Sequence, residues 1–275
     1  MVIGWLFQNH RPRTAIHQLR VTNHVLAMQT YKLTLAYDGT DYAGWQVQLN
    51  GTAVQEVVER AVERIFGEKA RVHGSGRTDA GVHALAQVAH FQIPKSKAKI
   101  PPASLRGALN AVLPRDVRVL KVERADDDFH ARFAAHEKTY RYQIFCGDVM
   151  DPFVRRWAAH WPRRLDVAAM RRAARVLAGR HDFAAFSANP RREQESTVRT
   201  LKRLSVARRG KLVTITAVAD GFLYKMVRGL AGALLKVGAG RLSPADIECI
   251  LKSKTRTARV ETAPPQGLFL MKVKY

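Results

Sequence analysis

The sequence predicts an α+β protein made of two similar halves of mixed strands and helices, with a cleft between them. Runs of alternating apolar and polar residues, typical of half-buried strands, occur along the chain, and segments with apolar residues at helical spacing lie between them. A similar series of strands and helices precedes and follows residues 125–137, where we place the junction. The 275 residues suffice for two modest domains or one large one.

The first half is predicted to begin with an alternating strand at residues 31–37, followed by the turn DGTDYAGW at residues 38–45. Thr52 and Gln55 have the spacing of a capping box, so we expect a helix to begin at Thr52. Its apolar residues recur every three or four positions up to Ile65. A strand, a short helix and a second strand are then predicted at residues 87–93, 104–112 and 117–122.

The second half contains clear helix signals. Asp166 is the predicted N-cap of a helix at residues 167–177, and Ser243 followed by Pro244 marks the start of a final helix. A longer, apolar helix is predicted at residues 222–237. Strands are predicted at residues 138–145, 212–218 and 268–274.

We divide the chain into an N-terminal extension at residues 1–28, an N-terminal half at residues 29–135 and a C-terminal half at residues 136–275. The first 27 residues contain three arginines and no acidic residue, and they lack the basic start and apolar core of a secretion signal. We expect the extension to be disordered, with Met28 as the functional start of translation. A transit peptide is the alternative.

The chain is strongly basic, with a net charge of +23 and a pI near 10.7. Residues 163–211 contain fourteen Lys and Arg against four Asp and Glu, so this stretch alone contributes +10. A surplus of this size predicts a polyanionic partner, because Lys and Arg that neutralise phosphates release condensed counterions. The alternative is a charged surface that only keeps the protein in solution. We therefore expect a nucleic acid as the partner.

Cysteine use and hydropathy exclude two further classes of protein. The two cysteines, Cys146 and Cys249, have a spacing that fits no zinc ribbon or disulfide framework, so we expect a reducing, cytoplasmic environment. No run reaches the roughly 18 apolar residues that a membrane-spanning helix needs. The nearest candidate, residues 221–240, is interrupted by three basic residues. We therefore expect no membrane association.

The strongest indication of chemistry is the glycine-rich loop RVHGSGRTDAGVHALAQVAHF at residues 71–91. Asp79 lies there among small residues, two positions after Arg77 and two before Gly81. A cationic neighbour favours the ionised carboxylate, which can act as a nucleophile or stabilise charge. The alternative is a turn aspartate that bonds its own backbone. No second carboxylate is close in the sequence, which disfavours hydrolysis by a carboxylate pair.

Two other segments contain candidate site residues. Tyr140 and Tyr142 point to the same face of their predicted strand. They pack against the sheet, or one of them stacks on a nucleobase, and the sequence leaves both roles open. Arg228 lies one position off the apolar face of its predicted helix. A partly buried arginine requires an anionic partner, and Asp79 is the candidate.

The histidines of this region are interpreted as structural. His73, His83 and His90 have no carboxylate or cysteine partner at metal-ligand spacing, and His130 in FHARF is assigned to packing. The loop also departs from the dinucleotide-binding fingerprint, because Asp79 occupies the position of its third glycine. We therefore expect neither a metal nor a cofactor.

Six segments, in the same order, resemble the tRNA pseudouridine synthase A family over nearly the whole chain from residue 29. They are YDGTDYAGWQVQ (37–48), GSGRTDAGVHALAQVAHF (74–91), DDFHARFAA (127–135), KTYRYQIF (138–145), HDFAAFS (181–187) and KMVRGLAGALLKVGAG (225–240). The resemblance implies a sheet like that of pseudouridine synthases with a central basic cleft. It also implies an enzyme that isomerises uridine to pseudouridine at positions 38–40 of the tRNA anticodon stem-loop, as a homodimer and without cofactor or metal.

The same resemblance implies a role for each candidate residue. Asp79 corresponds to the catalytic aspartate, in the catalytic loop of the N-terminal half. Tyr140, on a strand of the C-terminal half, corresponds to the tyrosine that contacts the target base. Arg77 matches the arginine associated with displacing the nucleotide, and Arg228 the helical arginine that pairs with the aspartate. Gly229 departs from the family, where asparagine is frequent, and predicts a looser Arg228 end of the pocket.

Two other functions stay open from the sequence. A non-catalytic RNA-binding protein or chaperone would use the same basic cleft, although pure binding gives no reason to place a carboxylate in an anion-binding surface. A nucleoside or glycoside hydrolase would release free base and normally needs a second carboxylate or a metal cluster, for which the sequence offers no candidate.

Overall fold

The computed structural model describes residues 27–188 and 196–275. These residues contain ten strands and five α-helices, which confirms the predicted α+β class. The strands are β1 (Met28–Tyr37), β2 (His73–Gly74), β3 (His83–Pro94), β4 (Val117–Ala125), β5 (Glu137–Cys146), β6 (Ala159–Trp161), β7 (Gly179–Asp182), β8 (Val198–Arg209), β9 (Leu212–Ala219) and β10 (Leu268–Lys274), and the helices are α1 (Val54–Phe66), α2 (Pro102–Val112), α3 (Val167–Leu177), α4 (Met226–Gly238) and α5 (Pro244–Ser253).

The predicted N-terminal extension lies almost entirely outside the described residues. Within the described ranges, none of the helices is long and apolar enough to cross a membrane.

All ten strands belong to one sheet with the order β4-β1-β3-β10-β5-β9-β8-β7, while β2 pairs with β3 and β6 with β5. Most neighbours are antiparallel, but β10 runs parallel to β3 and β6 runs parallel to β5. The strand β10 therefore joins the strands that precede residue 126 to those that follow residue 136. Because the antiparallel pairs dominate, the sheet does not require a crossover helix for each connection.

The register around β10 determines where the glycine-rich loop lies. Leu270 is opposite Ala84 of β3 on one side and Tyr140 of β5 on the other. Residues 75–82 lead directly into β3. This register therefore brings the loop and Tyr140 to the same region of the sheet.

The core follows the predicted apolar patterns. On β1 alternate residues are buried, which confirms the predicted half-buried strand at 31–37. The helix α3 buries one side of its surface and begins at Asp166, whose carboxylate accepts from the Ala169 amide at 2.9 Å, as predicted. The helix α5 begins with a capping box between Ser243 and Asp246.

The predicted capping box at Thr52 is wrong. The helix α1 begins at Val54 without a side-chain cap. Its first free amides are instead satisfied by the preceding turn, since Val54 N donates to Gly44 O at 3.1 Å and Gln55 N to Trp45 O at 2.9 Å. The Gln55 side chain donates to Glu59 of the same helix at 2.8 Å. Backbone contacts between turn and helix replace the expected side-chain cap.

The predicted helix at residues 222–237 begins later than expected, at Met226, because Lys225 has the left-handed conformation with φ +56°. The long strand β8 was not predicted from the sequence. Its buried residues are Leu201, Leu204 and Val206, and most of its exposed residues are Lys or Arg. These basic residues interrupt the apolar pattern of a segment that pairs along β9.

The helix α4 packs with its backbone against the segment before β10. A Cβ atom on Gly232 would lie 2.1 Å from the carbonyl oxygen of Glu261, closer than any real side chain approaches. Glycine at this position therefore allows the helix to approach the chain around Ala263, and that chain in turn bonds Arg228.

We expect Gly232→Ala to lower the free energy of unfolding by about 2 kcal/mol or more, because overpacking outweighs the better helix propensity of alanine. The matched control is Gly107→Ala in α2, where a new Cβ meets no atom within 4 Å. That control should raise the free energy of unfolding by up to about 1 kcal/mol. Urea unfolding followed by circular dichroism measures both, and a Gly232→Ala protein as stable as the wild type would contradict the packing described.

Candidate active site

The start of the glycine-rich loop is fixed by hydrogen bonds to β3. Ser75 N donates to Val88 O at 2.7 Å, and Ser75 Oγ donates to Gln87 Oε1 at 2.7 Å. The amide of the same Gln87 donates to Gly76 O at 2.9 Å. Gln87 is fully buried, so these bonds form away from competing water. The loop therefore leaves the sheet in a defined direction.

The turn at residues 38–45 supports the centre of the loop. Trp45 N donates to Thr78 O at 3.0 Å, and the hydroxyls of Tyr37 and Thr78 are 2.9 Å apart. Gly44 has φ +101°, and a Cβ there would lie 2.6 Å from Thr78 O, so the close contact requires glycine. Burial raises the pKa of Tyr37 to about 12, which keeps its hydroxyl protonated. The DGTDYAGW segment thus fixes Thr78, the residue before Asp79.

Asp79 begins a tight turn that ends at Val82, whose amide donates to Asp79 O at 3.1 Å. Gly81, the third residue of this turn, has φ +74°, a conformation that favours glycine. The Asp79 side chain does not bond the backbone of its own turn. The interpretation of Asp79 as a turn aspartate that bonds its own backbone is therefore wrong, although its main chain does form a turn.

The Asp79 carboxylate is paired with Arg228. The distance from Arg228 Nη1 to Asp79 Oδ2 is 2.7 Å, and the two side chains are 11% and 19% exposed, respectively. Arg228 is fixed from its other side, because its Nε donates to Ala263 O at 2.7 Å and its carbonyl accepts from Ala263 N at 3.1 Å. The structure thus places Arg228 against the partner that the sequence suggested for it.

Only one carboxylate oxygen of Asp79 is used in this arrangement. Among the described residues, Oδ2 accepts from Arg228 and no donor bonds Oδ1. A carboxylate has lone pairs on both oxygens, so Oδ1 keeps its capacity to act on another molecule. The arginine therefore orients and compensates the charge without occupying the whole group.

Gly229 does not loosen this end of the site. A Cβ on Gly229 would lie 2.6 Å from the carbonyl oxygen of Phe186, so glycine allows α4 to pack tightly there. The contact between Arg228 and Asp79 forms at normal hydrogen-bond distance in its presence. The structure thus shows close packing where we expected a looser end.

Tyr140 lies near Asp79 and is largely buried, with 7% of its surface exposed. Its ring packs edge-on against Phe222, with centroids 5.1 Å apart. Burial raises the pKa of Tyr140, and repulsion from the Tyr37 phenol, should both ionise, and from the Asp79 carboxylate raises it further. The phenol is therefore neutral at physiological pH. Tyr142, on the same face, is fully buried and donates to Pro264 O at 2.8 Å, which is a structural role.

The other candidate residues are Arg77 and the histidines. Arg77 lies in the same loop with an exposed side chain. His83 and His90 are buried and accept hydrogen bonds from the backbone amides of Gly39 at 3.0 Å and Ala131 at 3.1 Å, consistent with the structural role expected for them. Burial lowers the pKa of both histidines, that of His90 to about 4. In the part of the chain that the structure describes, no group of three or more potential ligand side chains could hold a metal ion.

Two residues of the site were missed in the sequence. Gln87 is a buried polar residue within an apolar strand, and this was the available signal. Lys138 lies two residues before Tyr140, and its Nζ donates to Ser75 O at 2.5 Å. The alternation of the strand, which places Lys138 on the same face as Tyr140, was the available signal.

The chain is similar to known proteins over almost its full described length. A family model described as tRNA pseudouridine synthase matches residues 34–134 and 173–275. A tRNA pseudouridine synthase A of Methylacidiphilum infernorum is 46% identical over 91% of this chain and 97% of the relative. Proteins of the same name from Rhodopseudomonas palustris and a Thermoanaerobacter species are 45% and 42% identical, each over 90% of this chain and 100% of the relative.

We expect the Asp79–Arg228 pair to show a coupling free energy of about 2 kcal/mol, between the values typical of exposed and fully buried ion pairs. The measurement is a double-mutant cycle of Asp79→Asn and Arg228→Met in urea unfolding. The control cycle uses Glu248→Gln and Lys252→Met in α5, an ion pair whose side chains are 51% and 75% exposed. That pair should couple by about 0.5 kcal/mol or less, and equal coupling in both cycles would show that burial adds nothing.

Proposed function

The chain belongs to the tRNA pseudouridine synthase family, and we propose that it isomerises uridine at positions 38, 39 and 40 of the tRNA anticodon stem-loop, with Asp79 as the catalytic residue. Pseudouridine synthases are isomerases, and the relatives act, by their names, on tRNA. The observation that carries the catalytic assignment is the Asp79 carboxylate, oriented by Arg228 through one oxygen and with the other oxygen unused by the described residues.

The isomerisation needs no reactant other than the uridine itself. The bond between N1 and C1′ breaks, the uracil turns, and C5 bonds to C1′. C5 then loses a proton while N1 gains one, so that substrate and product have the same composition. No oxidant, reductant or second substrate takes part, which is consistent with the cofactor-free enzyme expected from the sequence.

Asp79 is proposed to act at the step in which the glycosidic bond breaks. Its free oxygen would attack the sugar, attack the base, or promote an elimination centred on the sugar. Arg228 compensates the charge of the carboxylate in a site where water is largely excluded. Because Arg228 is bonded to Ala263 as well, the carboxylate is held before substrate binds.

Tyr140 is proposed to contact the target base. Its ring is fixed by Phe222, so contact with the base costs little side-chain entropy. The neutral phenol suits packing and hydrogen bonding to the uracil. A neutral phenol can accept the C5 proton only if it gives its own hydroxyl proton to another group. The raised pKa of Tyr140 therefore favours a role in positioning the base over a role as the direct base.

Arg77 and the basic surface are proposed to handle the RNA. A uridine in a stem must leave its stack before its glycosidic bond can react, at a cost of a few kcal/mol. The exposed side chain of Arg77, two residues before Asp79, is suited to take the place of the extruded nucleotide. The net charge of +23 supplies the electrostatic attraction for the phosphate backbone, and RNA shape would select the target. Assembly as a homodimer remains a prediction from the resemblance, and a cytoplasmic location a prediction from cysteine use.

The two alternative functions have less support. Pure RNA binding does not explain a carboxylate fixed by a dedicated arginine in a basic protein. A hydrolase of the carboxylate-pair type needs a second acid near the first, whereas Asp79 is paired with a cation.

We expect Asp79→Asn to abolish isomerisation while tRNA affinity stays within about tenfold, because the substitution keeps the shape of the side chain and removes its charge. The assay is carbodiimide labelling and reverse transcription of unmodified tRNA after incubation with protein. Asp148→Asn, at an exposed position, is the matched control and should retain wild-type turnover. Turnover by Asp79→Asn at the wild-type rate would refute the catalytic assignment.

We also expect the anticodon stem-loop alone to be a substrate. Stem-loops with a single uridine at position 38, 39 or 40 should each be labelled after incubation, whereas a stem-loop with its only uridine at position 32 should not. The same labelling assay on full tRNA provides the comparison. Labels confined to another arm of the tRNA would leave the reaction class intact and contradict the proposed target.

A further inference from the structure

Lys138 lies beside the glycine-rich loop on the face of β5 that carries Tyr140. The two residues are two positions apart on the strand, so their side chains point in the same direction. Lys138 is half-buried, and its Nζ donates to Ser75 O at 2.5 Å. A Cβ on Gly76 would lie 3.1 Å from the same nitrogen, so the absence of a side chain there leaves room for the ammonium group.

The charge of Lys138 has no anionic partner among the residues that the structure describes. None of their carboxylates lies within ion-pair distance of its Nζ, and only one of its three N–H donors is used, by Ser75. Burial and, after it, the positive charge of Arg132 lower the pKa of Lys138 to about 8. The backbone next to Arg132 is also anchored close to the start of the glycine-rich loop, because Ala131 N donates to His90 Nδ1 at 3.1 Å and His90 lies opposite His73 in the pairing of β3 with β2. A bound anion would stabilise the charged form of a half-buried amine in this position.

The exposed Arg132 completes the cationic site. It lies within the turn closed by the hydrogen bond from Ala134 N to His130 O at 3.0 Å. Its own amide donates to the His130 ring at 3.2 Å, and its guanidinium lies over the Phe133 ring at 5.7 Å. Guanidinium and ammonium groups together are suited to phosphate, the first by its fork of donors and the second as a point charge.

We propose that Lys138 and Arg132 bind a phosphate of the RNA backbone next to the nucleotide whose base contacts Tyr140. Residues two positions apart on a strand are about 7 Å apart, which is comparable with the distance between a nucleobase and the phosphate of the same nucleotide. A phosphate at Lys138 would therefore fix the extruded nucleotide at two points, its base and its backbone. The proposal rests on the proposed function, since it names the part of the same substrate that this site binds.

A purely structural role for Lys138 leads to a different expectation. If the ammonium group only joins β5 to the loop through Ser75, its removal would disturb the loop whatever the charge of the RNA. A phosphate contact, in contrast, makes the effect of removing Lys138 depend on the charge of one particular linkage.

The test uses anticodon stem-loops in which a single linkage on the 5′ or 3′ side of the target uridine is a neutral methylphosphonate. With the wild-type protein we expect one such linkage to lower kcat/KM about tenfold. Lys138→Met should lower kcat/KM by a similar factor on the normal stem-loop and by no further factor on the modified one. The control is Lys121→Met, on the edge strand β4, where Lys121 pairs with Glu123. In this variant the methylphosphonate linkage should still lower kcat/KM about tenfold.

Three outcomes decide the proposal. If Lys138→Met keeps the full methylphosphonate effect at every linkage tested, Lys138 has only a structural role and the proposal is wrong. If Lys138→Met does not fold, Arg132→Met at its exposed position should reduce the methylphosphonate effect at least threefold, and an unchanged effect would overturn the proposal. If the wild type isomerises no uridine, the proposed function fails. The Kd of the wild type and of Lys138→Met is then measured for the normal and the methylphosphonate stem-loops. A methylphosphonate effect on Kd that persists in full in Lys138→Met would again overturn the proposal.

Discussion

The ion pair between Asp79 and Arg228 is the contact on which the rest of the site depends, and it joins residues 149 positions apart in the chain. At an effective dielectric constant near 20, two such charges attract by about 4 kcal/mol, and the cost of removing both from water offsets much of this. The pair therefore contributes more to orientation than to stability. Two hydrogen bonds to Ala263, from the Arg228 Nε and to the Arg228 carbonyl, hold the arginine in place on the other side.

Each side of that pair is positioned by backbone rather than by side chains alone. The loop is fixed at Ser75, Gly76 and Thr78 before the chain reaches Asp79. On the opposite side, α4 approaches the chain at Glu261 closely enough that only glycine fits at the contact. The sheet supplies the frame, since Leu270 of β10 lies between the strand that follows the loop and the strand that carries Tyr140. Small displacements of either element would separate the charges.

Local patterns predicted much of this arrangement, and long-range contacts account for what they missed. The strand alternation of β1, the caps of α3 and α5 and the pairing partner of Arg228 follow from residue type and spacing. The start of α1 does not follow from residue type and spacing, because its first amides donate to the backbone of a turn and not to a capping side chain. The strand β8 was missed since its exposed side is basic, and Lys138 because its contact with Ser75 depends on the packing of a loop over a strand. These features depend on tertiary structure, which a local pattern does not contain.

The position of β10 has a consequence for how the protein is made. This strand comprises residues 268–274, yet its neighbours in the sheet are β3 and β5. During synthesis from the N-terminus, both neighbours leave the ribosome long before the strand that separates them, and contacts of such high sequence separation form slowly. A nascent chain that lacks β10 leaves the adjoining edges of β3 and β5 unpaired. Chaperone protection of those edges would therefore matter most in the interval before the last strand is released.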